Sequence, residues 1–271
     1  MNYLYTLTLL LLLPFSLFAY NDLDLDGVED SQDRCPNTPI TDLVDINGCS
    51  IKSLVSPHHY DIILGTSYSQ VNYNTNEKTN NINTTIQTDY YYKNFSLQLS
   101  VSYFTSQSQT YSNKGFNDTY VSAYYQLKIF HDLSFRVGTG VILPTYQSGL
   151  GNNKTDYSSS INLSYPLKSL NLFGGYRYTF VNDNNIQGVV SYQDSASLYS
   201  GVGFYPSSQL YLSASYNKTD SIYKGVVPIE NASAYAYYTF SQHWFSTLSY
   251  AYGLSSSTSN HYVSVRFGYY Y

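Results

Sequence analysis

Between Asp22 and Asp33 the chain spaces carboxylates as a hard cation requires them. With Asp22 as position 1, Asp24, Asp26, Asp30 and Asp33 fall at positions 3, 5, 9 and 12, and Gly27 falls at 6. Calcium takes about six to eight oxygen ligands, and alternate side chains converge on one ion only where the chain turns sharply. Gly27 permits that turn, and the Val28 carbonyl at position 7 adds a further oxygen. The candidate ligands of a Ca²⁺ cofactor are therefore Asp22, Asp24, Asp26, Val28, Asp30 and Asp33. Two features depart from a helix-flanked calcium loop. Asp33 is shorter than the Glu usual at the last position, and no amphipathic helix precedes Asp22. A solvated acidic linker without metal is the plain alternative.

The run continues as Cys35-Pro36-Asn37-Thr38-Pro39 and then Val44-Asp45-Ile46-Asn47-Gly48-Cys49. Acidic spacing, Cys-Pro and Gly-Cys together resemble a thrombospondin type 3 repeat, a module also found beside the barrel in outer membrane protein A class proteins. The resemblance covers residues 20–50 and implies a calcium-stiffened segment with little core. Cys35 and Cys49 are the only cysteines. Such a pair in an exported chain argues a disulfide. Zinc is a poor alternative, because two cysteines without a nearby His pair supply too few ligands.

A second set of charges lies in residues 51–271, and its meaning depends on the elements that carry it. The whole chain is only 11% charged, against about 25% in ordinary globular proteins, and contains 34 tyrosines. Residues 20–50 hold eight acids and one base; residues 51–271 hold ten acids and twelve bases. Neither part carries the basic stripe of a nucleic-acid binder. The one long apolar run lies in residues 1–19, which read as a secretory signal peptide.

From His261 to Tyr271 apolar and polar residues alternate strictly. Val263, Val265, Phe267, Tyr269 and Tyr271 share one face, and Arg266 lies on the other. The same period marks twelve strands, near 59–72, 82–92, 94–104, 118–128, 133–143, 155–166, 169–180, 195–205, 209–218, 231–241, 244–254 and 261–271. Each has the length a tilted strand needs to cross a bilayer. Residues 186–192 could extend the eighth strand or belong to the loop before it. Connectors alternate between short and long, as periplasmic turns and external loops do. The expected fold is all-β: a transmembrane antiparallel up-and-down barrel of about twelve strands over residues 51–271, behind a short calcium-loop segment. Both termini fall on the short-turn side, which places residues 20–50 in the periplasm of a bacterial outer-membrane protein.

Taking Leu97, Leu99, Val101 and Tyr103 as outward, with Phe135 to Leu143, Ile161 to Tyr165 and Leu210 to Tyr216 in the same phase, no charge is expected on the lipid face. A Lys or Arg there costs about 2–4 kcal/mol at the membrane midplane. Asp61, Asp89, Lys128, Arg136, Arg177 and Arg266 take the other phase and are the candidate pore-lining residues. All but Arg177 lie toward the short-turn ends. They either pair and narrow the lumen or set ion preference, with Asp61 the expected partner of Arg266. Four positive and two negative groups give a weak anion bias.

Gly138 to Tyr157 pass through Leu143-Pro144-Thr145, Ser148-Gly149-Leu150-Gly151 and Thr155-Asp156-Tyr157. This stretch resembles the barrels associated with phenol meta-cleavage pathways, kin of the fatty-acid transporter barrels, and implies passage of small, hydrophobic molecules. The chain shows no plug domain and fewer strands than fatty-acid transporters. The histidines, His58, His59, His131, His243 and His261, follow no nucleophile motif, so no enzyme is expected. The expected function is a passive channel or transporter for small solutes, with outer-membrane lipid and periplasmic or cell-wall components as further partners. A non-conducting structural or adhesion barrel is the alternative.

Overall fold

The structure, a computed structural model, describes residues 22, 24, 28–36, 38, 44, 46, 47, 49, 58–72, 77–128, 133–146 and 154–271. The signal segment 1–19, Asp26 and His131 lie outside these residues, as does the side chain of Lys128. The chain divides into two units, Met1–Ser56 and Pro57–Tyr271.

The second unit is one antiparallel sheet closed on itself. Its strands are β1 (His58–Val71), β2 (Thr79–Tyr92), β3 (Phe95–Gln107), β4 (Ser112–Phe116), β5 (Thr119–Lys128), β6 (Ser134–Leu143) and β7 (Asp156–Leu167). They continue with β8 (Leu170–Phe180), β9 (Ser195–Ser207), β10 (Leu210–Thr219), β11 (Ile229–Thr239), β12 (Trp244–Gly253) and β13 (His261–Tyr270). Twelve of these form the barrel wall, each strand beside its sequence neighbour. The remaining strand, β4, folds the connector after β3 back onto β3, pairing Gln107 with Ser112 and Tyr103 with Phe116. β1 closes the barrel against β13, and Tyr60 and Tyr271 exchange backbone hydrogen bonds at 2.8 and 2.9 Å. Residues 186–192 belong to the loop before β9, tied by the bridges Ile186–Val190 and Tyr192–Tyr223.

Short turns gather at one end. Two of them, after β2 and after β7, begin with Lys93 and Lys168 at φ 53° and 55°, the left-handed conformation that lets a two-residue link follow the strand twist. Long loops gather at the other end.

Burial is inverted relative to a water-soluble domain. Ile62, Ile161, Leu248 and Phe267 point outward and are 58%, 45%, 51% and 54% exposed. Ser122, Ser158, Ser160 and Ser264 point inward and are buried. Aromatic contacts ring both edges of the apolar band: Tyr60–Tyr90 and Trp244–Tyr269 at the short-turn end, Tyr103–Phe116 and Tyr178–Phe180 at the other. An apolar outer band between aromatic girdles suits a lipid bilayer.

One expectation about that face needs correction. Lys218 on β10 and Glu230 on β11 share the outward phase and form an ion pair at 3.1 Å. The pair sits at the long-loop end, past Tyr216, where the side chains leave the apolar band. Paired there, the charges escape the midplane penalty.

In the first unit Cys35 and Cys49 form a disulfide with Cα atoms 5.0 Å apart. Asp33 Oδ1 accepts from the Cys35 N–H, Asp24 Oδ2 from the Thr38 N–H, and Arg34 N–H donates to the Asn47 carbonyl. Two candidate calcium ligands thus help to hold the backbone beside the disulfide. Among the described residues no three Asp, Glu, His or Cys side chains converge on one point. The ligand set expected from the sequence includes Asp26, which is not described.

Candidate functional site in the barrel lumen

Four of the six charged residues expected in the lumen line one cavity of about 800 Å³ at the short-turn end: Asp61, Asp89, Arg136 and Arg266. Strand alternation and register bring them together. Asp61 on β1 and Asp89 on β2 are direct cross-strand partners, so both side chains point the same way. β13 lies beside β1 and contributes Arg266; β6 contributes Arg136 beyond β2, β3 and β5.

Neutral groups hold these charges. Tyr91 O–H donates to Asp61 Oδ2 at 3.2 Å. Gln87 Nε2 donates to Asp89 Oδ2 at 2.6 Å, while its Oε1 accepts from Arg266 Nη2 at 2.5 Å. One amide therefore separates an acid from a guanidinium. Arg136 Nη2 donates to Ser96 Oγ at 2.9 Å, and its guanidinium stacks 4.0 Å from the centre of the Tyr124 ring. Among the described residues no ion pair joins the lumen charges; the pair found is Lys218–Glu230, outside.

Arg266 therefore does not pair with Asp61. The closing register sets Gly65 opposite Arg266 and Asp61 opposite Tyr270, so the arginine reaches across Gly65 to Gln87 instead. Arg177 stands apart, in the long-loop half, 5.4 Å from the Tyr120 ring. The backbone of Lys128 pairs with Ser134 near the short-turn end.

Sequence reasoning missed two contributors. Asp156 on β7 shares the inward phase and is 4% exposed, its Oδ1 accepting from the Asn182 N–H at 2.8 Å. It offsets part of the expected anion bias. The second is a set of glycine seats. A Cβ at Gly175 would lie 2.6 Å from the Tyr199 ring, one at Gly140 2.7 Å from the Tyr120 hydroxyl, and Gly138, Gly201, Gly203 and Gly268 are covered by Tyr124, Phe173, Tyr211 and Phe245. The rings lie over the wall at these bare positions. Alternating inward glycines and tyrosines on neighbouring strands were the available signal.

The described histidines meet tyrosines: His59 stacks on Tyr270 at 5.3 Å, His243 on Tyr269 at 5.7 Å, and His261 Nδ1 lies 3.0 Å from the Tyr250 hydroxyl. His58 Nδ1 lies 2.7 Å from the Tyr90 hydroxyl.

No protein-family description matches the chain, and no curated protein does. Among solved structures it is similar to the NanC porin, with 15% identity and a TM-score of 0.53 over 77% of this chain and 98% of that one. It is also similar to the KdgM porin, with 13% identity and a TM-score of 0.47 over 78% and 98% of the two chains. The CymD monoaromatic hydrocarbon channel follows, with 10% identity and a TM-score of 0.47 over 80% and 91%. The first of these likenesses supports the fold as a closed antiparallel barrel of the outer-membrane type.

Proposed function

We propose that this chain is a passive outer-membrane channel for small polar solutes. The observation that carries the reading is the short-turn cavity. Inside a closed barrel with an apolar exterior, Asp61, Asp89, Arg136 and Arg266, with Lys93 at the rim, face about 800 Å³ of space, and no ion pair among the described residues ties them together. Charges that only filled a structural lumen would gain from closing on one another, because an unpaired charge away from bulk water is costly. Open charges facing a cavity suit conduction, where a solute is held enough to enter and weakly enough to leave.

The polar lining favours water-soluble cargo over the hydrophobic molecules suggested by the Gly138–Tyr157 stretch. The short turns and the N-terminal unit face the periplasm in this reading, and the long loops face outward. Residues 22–33 take calcium on the strength of their carboxylate spacing and stiffen a periplasmic segment that touches cell-wall or periplasmic components.

The test is single-channel recording of the refolded chain in planar lipid bilayers. Discrete steps are expected, with an ion preference that shifts when Arg136 and Arg266 are changed to Glu. Folded protein that never conducts would instead identify a structural or adhesion barrel. Lipid hydrolysis in detergent would identify an enzyme.

A further inference from the structure

We infer that the short-turn chamber binds small zwitterions, solutes that carry an ammonium and a carboxylate a few bonds apart as free amino acids do. The inference rests on the channel reading and names the solute class for that same site.

The chamber's charges are sorted by position. The carboxylates of Asp61 and Asp89 sit side by side on β1 and β2. A guanidinium flanks them on each side, Arg266 from β13 and Arg136 from β6. Each charged group has been given a neutral partner. Tyr91 serves Asp61, Gln87 stands between Asp89 and Arg266, and Ser96 with Tyr124 serves Arg136. Asp61 Oδ1 is shielded from solvent and has no hydrogen-bond partner. The opposite wall offers Tyr235, Tyr237, Phe245 and Thr247, with His243 at its turn end, and His59 lines the chamber on the Asp61 side.

A lone cation drawn to the acid pair meets a guanidinium on either side. A lone anion drawn to either guanidinium meets the acid pair. Both meet like-charge opposition from groups that line the same chamber. A zwitterion presents each end to the group of opposite sign, and its short body can rest on the aromatic wall. Lys93 at the rim stacks 5.3 Å from the Tyr92 ring and adds positive charge outside the pair. Binding is expected on the order of 1 mM, weak enough for release.

The experiment uses the full chain in proteoliposomes and compares swelling rates for glycine, glycolamide, acetate and ethylammonium. Glycine is expected to enter severalfold faster than glycolamide. It should also reduce single-channel current in a saturating manner, while the three analogues reduce it less. Either double change, Asp61→Asn with Asp89→Asn or Arg136→Gln with Arg266→Gln, should bring the glycine-to-glycolamide ratio to about one, and Lys218→Ala should not. Equal entry of glycine and glycolamide through a conducting channel would overturn the zwitterion site and leave the channel standing. Selective block by acetate or ethylammonium alone would overturn it in favour of a simple ion site. If folded protein conducts nothing, the channel reading falls, and tyrosine fluorescence in detergent decides the site: saturable change with glycine supports it, and none rejects it.

Discussion

Gly65 on β1 is the floor on which the Arg266 side chain lies. The two are Cα partners across the closing seam, and a Cβ at Gly65 would come within 2.6 Å of Arg266 Cγ. Only a bare backbone lets the arginine cross β1 and reach Gln87 on β2. Gly65→Val should lift the guanidinium off Gln87 and move ion preference in the direction produced by Arg266→Gln. Reversal potentials under a salt gradient measure both. A wild-type value for Gly65→Val would show that the seat is not needed.

Tyr199 depends on Gly175 in a similar way, since a Cβ there would lie 2.6 Å from its ring and 2.7 Å from Asn162 Oδ1, which accepts the Tyr199 hydroxyl. Gly175→Val should cost about 1–3 kcal/mol by overpacking and turn the ring toward the lumen. Conductance should fall, and Tyr199→Ala in the same background should restore it. Urea unfolding in lipid vesicles and single-channel recording read the two effects.

The outer face should discriminate sharply between the apolar band and its margin. Val265→Arg places a charge on the outward face in mid-strand, with an expected loss of about 2–4 kcal/mol. Lys218→Ala breaks the ion pair beyond Tyr216 and should leave folding stability unchanged. Equal losses for the two variants would contradict the placement of the band.

The N-terminal unit should respond to two separate agents. Cys35→Ser removes the link to Cys49 and should cost that unit about 3 kcal/mol in the chain-entropy model. Calcium should slow protease cleavage between Asp22 and Asp33, and a chelator should reverse the protection. The barrel's unfolding should ignore both treatments. Cleavage that proceeds alike with and without calcium would dismiss the metal.

Acid should loosen the long loops through Glu77. Hydrogen bonds from the Ser108 hydroxyl, and then from the Thr110 N–H and hydroxyl, hold its carboxyl below the usual carboxylate range. A carboxylate with a depressed folded pKa contributes stability above its unfolded pKa and loses it as pH falls through the folded value. The tie between the β1–β2 and β3–β4 loops should therefore persist at neutral pH and fail in acid, as pH falls below the ordinary glutamate range and through the depressed folded value. Current noise should rise over that range in the wild type, and Glu77→Gln should flatten the dependence.

The strands were readable in the chain because lipid enforces a rule that sequence displays directly. A lysine at the midplane is expensive, so Leu97, Leu99 and Val101 alternate with Gln98 and Ser100, and their period exposes both faces. The same rule placed Asp61, Asp89, Arg136 and Arg266 on the inner phase. It faltered at Lys218 and Glu230, because strands run past the hydrocarbon and the penalty ends with it. The expected calcium site rests on carboxylate spacing and the hydrophobic cargo on a local resemblance, and the barrel geometry tests neither.

By itself, then, the amino-acid order determined the twelve wall strands to within a few residues, which way each faces, and which end carries the short turns, but not β4, which folds back within a connector. Tertiary structure alone decided who meets whom across the closing seam. Sliding β1 against β13 by two residues preserves every inward and outward face, so alternation cannot distinguish Gly65 from a neighbour two places along as the partner of Arg266. Inside a hairpin a tight turn removes that freedom. β1 and β13 share no turn, and only closure of the whole barrel selects their register. That selection sends Arg266 to Gln87 and leaves Asp61 facing the chamber.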